Sequence, residues 1–392
     1  MNLITKYLRK LRNNYSMLSL LVAYGVFLVI LNRTLLKTHR PHVDIFQKSS
    51  YWSGIERKSA KSIAEYIKNH PPTISVNVWI EDIDQIDFII VVQVHHSLPN
   101  LRRLIASFED ARDIGRTLLV FSHFYYKKNM EEAVRNITFT KTMQIFYPFN
   151  DHVCRNSFPG PNNHYCRFTL GCSDFVSGLR NASLSQNKHF WWWTLNFVYE
   201  QLQMKNKYVH KLMLLEDDDV VTADFLIVTD LLSELCYEVE EERCVLSLGN
   251  ALDFKAESSK AIKAPFQVLK FTTGLVFNKL IYDKIKLETD TICRYDDYDW
   301  KNTLQVALID VPAFSISSPR AVKGDEYDLY WSRNIKYLFP FQLEVERNES
   351  ATVAEKNGYW SDMRDVNLCL LMHNITALYR YFEVLSPFNA TK

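Results

Sequence analysis

Short unbroken apolar runs alternate with helical patterns through the middle of the chain. Residues 86–94, IDFIIVVQV, read as a buried strand bounded by polar positions. The turn His95-His96-Ser97-Leu98-Pro99 follows, and Asn100 is placed as the cap of a helix with apolar Leu101, Leu104, Ile105 and Phe108. Residues 116–122 and 143–147 repeat the strand pattern around a short polar helix at 127–135. This β-α-β-α-β succession predicts a parallel, doubly wound sheet. Residues 150–184 form a long irregular stretch, and a helix runs from Ser185 to about Met204, with Trp191, Trp192 and Trp193 assigned to the core. Leu212-Met213-Leu214-Leu215 is a strand that opens onto Glu216, Asp217, Asp218 and Asp219. Thr222 then caps a helix carrying Phe225, Leu226, Val228, Leu231, Leu232 and Leu235. Residues 245–249, 268–277 and 306–311 read as strands and 279–287 as a helix. A polar loop is placed at 319–331, and the remainder is irregular apart from a weak helix at 368–371.

The N-terminus changes the picture from a domain to a topology. Residues 17–31 are apolar apart from Ser19, Tyr24 and Gly25, and residues 32–36 extend the run to about the width of a bilayer. Lys6, Arg9, Lys10 and Arg12 precede it, so the positive-inside rule puts the N-terminus in the cytosol and the bulk of the chain in a lumen. A cleaved signal peptide is the rival reading, and the lack of a small-x-small site after Leu31 favours a retained anchor. The organisation expected is a cytosolic tail at 1–16, a transmembrane signal anchor at 17–36, a stem at 37–84 and a lumenal domain at 85–392. Seven cysteines and the sequons at Asn136, Asn181, Asn348, Asn374 and Asn389 all lie beyond the anchor, as an oxidising, glycosylating compartment requires. A hydrophobic content of 47% allows a large core, and a net charge of +1 gives no electrostatic reason to expect a nucleic-acid partner.

Four adjacent carboxylates at the end of a buried strand repel one another unless a cation holds them. Oxygen ligands suit Mg2+ or Mn2+, and the carboxyl ends of strands are where open α/β sheets bind ligands. A solvated acidic turn is the plainer reading of the same run. A second acidic group, Asp296, Asp297 and Asp299, lies further on. One carboxylate for a metal beside a leaving diphosphate and another to take a hydroxyl proton suit transfer from a nucleotide donor. Composition and spacing alone do not separate a glycosyltransferase from another metal-dependent transferase or a hydrolase.

Five blocks go further: SQNKHFWWWTLNFVYE (185–200), LLEDDDVVTADF (214–225), VLSLG (245–249), CRYDDYDWKNTLQ (293–305) and NGYWSDMRD (357–365). With QVHHS (93–97), YPF (147–149) and SFPG (157–160) in the same order, the chain resembles the N-acetylglucosaminyltransferase II family over roughly residues 86 to 370. The resemblance implies an α/β GT-A fold, UDP-GlcNAc as donor, Mn2+ as cofactor, and inverting transfer in β1,2 linkage to the α1,6-arm mannose of N-glycans in the Golgi membrane. A homodimer stays open. By position it assigns Asp218 to the metal. Gln93, Val94, His95, His96 and Ser97, and then Gln186, Asn187, Lys188, His189 and Phe190, fall to the donor. It pairs Cys166 with Cys172, Cys236 with Cys244 and Cys293 with Cys369, leaving Cys154. Four departures stand out. The family turn Gln-Val-His-Asn-Arg ends here in His96-Ser97, and an Asp after Phe-Ser-His is Phe124. The Asp taken as the family's base is Lys301, and a late metal-binding His is Lys323. The base is therefore assigned to Asp296, Asp297 or Asp299. The alternative is a weak or inactive lumenal paralogue that binds glycan, nucleotide sugar or a partner transferase.

Overall fold

The computed structural model describes residues 55, 57–74, 86, 88–160, 182–201, 211–249, 260–267, 273–294, 300–324, 345–347 and 362–385. The anchor at 17–36, Cys166, Cys172, Asp296, Asp297 and Asp299 lie outside these residues. No helix among the described residues is long and apolar enough to cross a membrane.

In chain order the elements begin with α1 (Arg57–Asn69), β1 (Thr73–Ile74), β2 (Phe88–Val94), α2 (Leu98–Glu109), β3 (Thr117–His123), α3 (Lys128–Arg135) and β4 (Lys141–Phe146). They continue with α4 (Ala182–Gln201), β5 (Lys211–Glu216), β6 (Asp219–Val221), α5 (Phe225–Glu240), β7 (Val245–Ser247), β8 (Ala261–Pro265), β9 (Leu275–Phe277) and α6 (Lys279–Leu287). The last are α7 (Thr289–Arg294), α8 (Trp300–Ala307), β10 (Pro312–Ile316), β11 (Ala321–Lys323), β12 (Val345–Arg347), α9 (Met363–Met372) and α10 (Ile375–Leu385). Ten strands form one sheet in the order β1-β4-β3-β2-β5-β9-β7-β10-β8-β12, and β11 pairs with β6 in a second, two-stranded sheet. β4, β3, β2 and β5 run parallel, as the β-α-β-α-β pattern predicts. β9 is antiparallel to both β5 and β7, so the large sheet is mixed rather than purely parallel, consistent with a GT-A-like fold.

Every residue of β2 and of β3 is buried, because helices cover both faces of a parallel sheet and leave no polar side. Trp191, Trp192 and Trp193 all reach zero exposure on α4. A helix apolar all round must be enclosed, and α8, α9 and α10 pack against this one. Trp191 stacks on Trp300 with ring centres 5.1 Å apart, and Trp192 Nε1 donates to the Cys369 carbonyl oxygen at 3.1 Å.

Several local expectations are corrected. Residues 306–311 do not form a strand: α8 runs through Ala307 and β10 starts at Pro312. Leu304 and Leu308 are buried at helical spacing, whereas apolar content alone suggested a strand. Ser97, not Asn100, caps α2, its Oγ accepting from Asn100 N at 3.3 Å. The residue before α5 is Asp224, and Thr222 Oγ1 donates to its carboxylate at 2.6 Å. The loop placed at 319–331 begins with strand β11, and the irregular C-terminus contains α10. Within 37–84, α1 buries Ala60 and Ile63 and packs on α10, while β1 lengthens the sheet edge beside β4. Disulfides join Cys236 to Cys244 and Cys293 to Cys369, as the resemblance implied. Cys154 is free and buried, and burial pushes its thiol up to about 12.

Candidate active site

β2 and β5 are hydrogen-bonded neighbours, and Gln93 at the end of one stands opposite Glu216 at the end of the other. The turns that leave them are laced together. Asp217 N donates to the Gln93 carbonyl oxygen at 2.9 Å, and His95 N donates to Asp217 Oδ2 at 3.0 Å. A cleft of about 400 Å³ opens over this junction. Gln93, His95, His96 and Ser97 line one side, Glu216, Asp217 and Asp218 the floor, and Asn100, Asn187 and Trp300 the rest. The N-terminus of α2 faces the same space, which favours an anionic ligand.

The acidic turn is held by a lysine. β11 runs antiparallel to β6 with Lys323 opposite Asp219, and Gly324 N donates to the Asp218 carbonyl oxygen at 2.6 Å. Lys323 Nζ lies 2.6 Å from Glu216 Oε2, 2.6 Å from Asp218 Oδ1 and 2.9 Å from Asp219 Oδ1. Lys301 Nζ is 3.7 Å from Glu216 Oε1. Burial opposes the Lys323 charge, but Asp219, Glu216 and the bond to Asp218 carry its pKa well above the ordinary lysine value. Burial also resists ionisation of Glu216, and Lys323 with Lys301 overcomes it, so its pKa falls. Burial raises Asp217 to about 6 against the pull of the His95 N–H, and Asp219 to about 7 against the pull of Lys323.

An ammonium has three N–H donors; Lys323 Nζ donates to Glu216 Oε2 and Asp218 Oδ1 and forms an ion pair with Asp219 Oδ1 at 2.9 Å. The point at which Glu216, Asp218 and Asp219 converge is thus filled by Lys323 Nζ. Among the described residues no group of three His, Cys, Asp or Glu side chains is arranged to hold a metal. Asp218, assigned to Mn2+ from the resemblance, binds a lysine instead, and the described residues do not fit that ion.

The other assigned residues divide. Val94 points into the core. Of 186–190, only Asn187 lines the cleft. Gln186 Nε2 donates to the Pro159 carbonyl oxygen at 2.7 Å, and the buried Lys188 donates to Thr303 Oγ1 at 3.0 Å. His189 Nε2 pairs with the Asp365 carbonyl oxygen at 2.9 Å, fastening α4 to α9. Phe190 packs edge-on to His95 at 5.6 Å and to Phe124 at 5.1 Å. Phe124, the residue at which this chain departs from the Asp of the family pattern, also stacks on Tyr147. Burial among these rings lowers the His95 pKa despite Glu216, which keeps the imidazole neutral. Asn100 and Trp300 are cleft residues that the sequence reading did not assign, and Glu216 and Asp217 are ones it read only as part of the four-carboxylate run. Trp300 had a signal, since it directly follows the acidic block that ends at Asp299.

Comparison with known proteins agrees with the resemblance. The sequence profile of the N-acetylglucosaminyltransferase II (MGAT2) family matches residues 65–324. The alpha-1,6-mannosyl-glycoprotein 2-beta-N-acetylglucosaminyltransferase of Homo sapiens is 30% identical over 326 residues, 72% of each chain. The enzyme of that name from Sus scrofa is 29% identical over 323 residues, again 72% of each chain, and that from Arabidopsis thaliana is 22% identical over 363 residues, 83% of each. With two thirds of its length matched by the profile, the chain belongs to the N-acetylglucosaminyltransferase II family.

Proposed function

We propose that this chain transfers GlcNAc from UDP-GlcNAc to the α1,6-arm mannose of N-glycans, forming a β1,2 linkage with inversion. The observation that carries the reading is the cleft over the ends of β2 and β5, with two lysine ammonium groups on its acidic floor, in a chain of this family. The diphosphate of the donor meets these cations and the N-terminus of α2. The mannose hydroxyl oxygen attacks the anomeric carbon from the opposite face. A new C–O bond forms, the bond to the β-phosphate oxygen breaks, and its electron pair leaves on UDP. The hydroxyl proton passes to a carboxylate. We assign that role to Asp296, Asp297 or Asp299, because Trp300, the next residue, lines the cleft.

The resemblance implied Mn2+, but Lys323 Nζ occupies the place that Glu216, Asp218 and Asp219 would offer such an ion. The anchor at 17–36 would fix the chain as a single-pass, type II protein of the Golgi membrane with residues 85–392 in the lumen, and self-association as a homodimer belongs to the same reading. The lysines at 301 and 323 and the ring of Phe124 support a second reading, a paralogue that binds donor or glycan without turnover.

The test is product formation. The purified chain is incubated with UDP-GlcNAc and an N-glycan bearing a free α1,6-arm mannose, and the glycan mass is followed. One added N-acetylhexosamine, in β1,2 linkage by exoglycosidase digestion, is the expected result. A folded chain that binds UDP and leaves the glycan mass unchanged overturns the transferase reading in favour of the second.

A further inference from the structure

We propose that the ammonium of Lys323 is a built-in replacement for the divalent cation of this site, so that the chain binds the diphosphate of its donor without metal. The inference rests on the reading of the cleft as the donor site, and it concerns how that site is charged.

The position of Lys323 is set by backbone, not by a side-chain rotamer alone. β11 is registered on β6 so that residue 323 faces residue 219, and the Gly324 N–H closes on the Asp218 carbonyl. A Cβ at Gly324 would come within 3.1 Å of that same oxygen, so the close approach suits glycine. Immediately before the strand, Arg320 and Asp224 form a buried ion pair, and Thr222 N donates to the Arg320 carbonyl oxygen at 3.0 Å. The lysine is therefore delivered to the acidic turn by a strand that is anchored at both ends.

Lys323 and Lys301 together carry the charge of one divalent cation and sit on the carboxylates that would ligate it. A metal entering here must first remove an ammonium from three carboxylates at hydrogen-bond distance, against the repulsion of both lysines. A diphosphate need not. The Lys323 side chain is 27% exposed and that of Asp218 46% exposed, so this pair lies at the cleft surface. When Asp218 turns to solvent, a phosphate oxygen takes over its hydrogen bond from Nζ, and Lys301, also 27% exposed, stands on the other side of Glu216. Lysine serves phosphate as a point charge in this way.

The experiment uses the full chain in detergent and reads UDP affinity by calorimetry and melting temperature, each in chelator and in Mn2+. For the parent chain, UDP affinity should agree within about threefold between the two conditions, and Mn2+ without nucleotide should leave the melting temperature unchanged. UDP binding that strengthens about tenfold or more with Mn2+, or a melting temperature raised by Mn2+ alone, overturns the proposal. Lys323→His removes the fixed charge and offers a ligand. It should lose about tenfold or more in UDP affinity in chelator and regain it with Mn2+. Should that variant not fold, Lys323→Arg keeps the charge, and its UDP binding should stay insensitive to chelator; Arg-substituted chain that binds UDP only with Mn2+ overturns the proposal. Failure of the transferase reading looks different: UDP binds in chelator, yet no GlcNAc reaches the glycan.

Discussion

Removing Asp224 should destabilise the chain more than removing any single exposed charge. Its carboxylate and the Arg320 guanidinium are 2% and 3% exposed and meet at 3.0 Å. The other Asp224 oxygen accepts from Thr222 Oγ1 at 2.6 Å, and Arg320 Nη1 donates to the Ser318 carbonyl oxygen at 2.7 Å. Breaking a buried pair by deleting one partner costs about 3–5 kcal/mol, because the remaining charge has lost its counter-ion in a low dielectric. At about 2 °C per kcal/mol for a chain of this size, Asp224→Ala should lower the melting temperature by about 6–10 °C. Replacing both partners is a milder change. Asp224→Ala with Arg320→Met should recover about 2 kcal/mol relative to the sum of the single variants. Thermal and urea unfolding of the four proteins measure this cycle. The same loss should loosen β11 and weaken UDP binding in chelator. An Asp224→Ala melting temperature within about 2 °C of the parent, or single effects that simply add, would refute the claim that this pair anchors the strand carrying Lys323.

Three further outcomes follow from the fold. His123 is fully buried beside Gln144, and burial lowers its pKa to about 4. Its folded value lies below its unfolded value of about 6.5, so its contribution is complete above that pH and is lost as pH falls towards about 4; urea midpoints should show about 3 kcal/mol more acid loss in the parent than in His123→Gln. A Cβ at Gly160 would overlap the Cys154 carbonyl oxygen, which is backbone and cannot step aside, so Gly160→Ala should cost about 3 kcal/mol in equilibrium unfolding. Cys293 and Cys369 are 76 residues apart, so replacing both by Ser should cost about 4 kcal/mol through loop-closure entropy, read as a lower urea midpoint with intact mass.

What could be read from sequence was whatever is set locally or by two-sided burial. The strands at 88–94, 117–123 and 211–216 announce themselves because burial on both faces makes their central residues an unbroken apolar run, with the polar residues gathered at the ends. The acidic floor was legible for the same reason, since charge follows directly on a buried strand. The helix at 57–69 was not, because its buried Ala60 and Ile63 are outnumbered by charged neighbours. The helix starts near Asn100 and Thr222 were misplaced because capping depends on backbone angles that several nearby polar residues satisfy equally in sequence. Lys323 was visible as a cation standing where a ligand was expected. Its three partners were not, because the contact to Glu216 spans 107 residues and exists only once β11 has paired with β6. Phe190 and Trp300 show the same limit: aromatic blocks announce a core, while only packing decides that one ring supports His95 and the other lines the cleft.

The most direct test of the ammonium-for-metal claim is anomalous diffraction at the manganese edge from crystals of the chain grown with UDP and Mn2+. The account predicts Lys323 Nζ within hydrogen-bond distance of the bound diphosphate and no manganese peak at Asp218. A manganese peak bridging Asp218 and the diphosphate, with Lys323 turned away from the acidic floor, would contradict it.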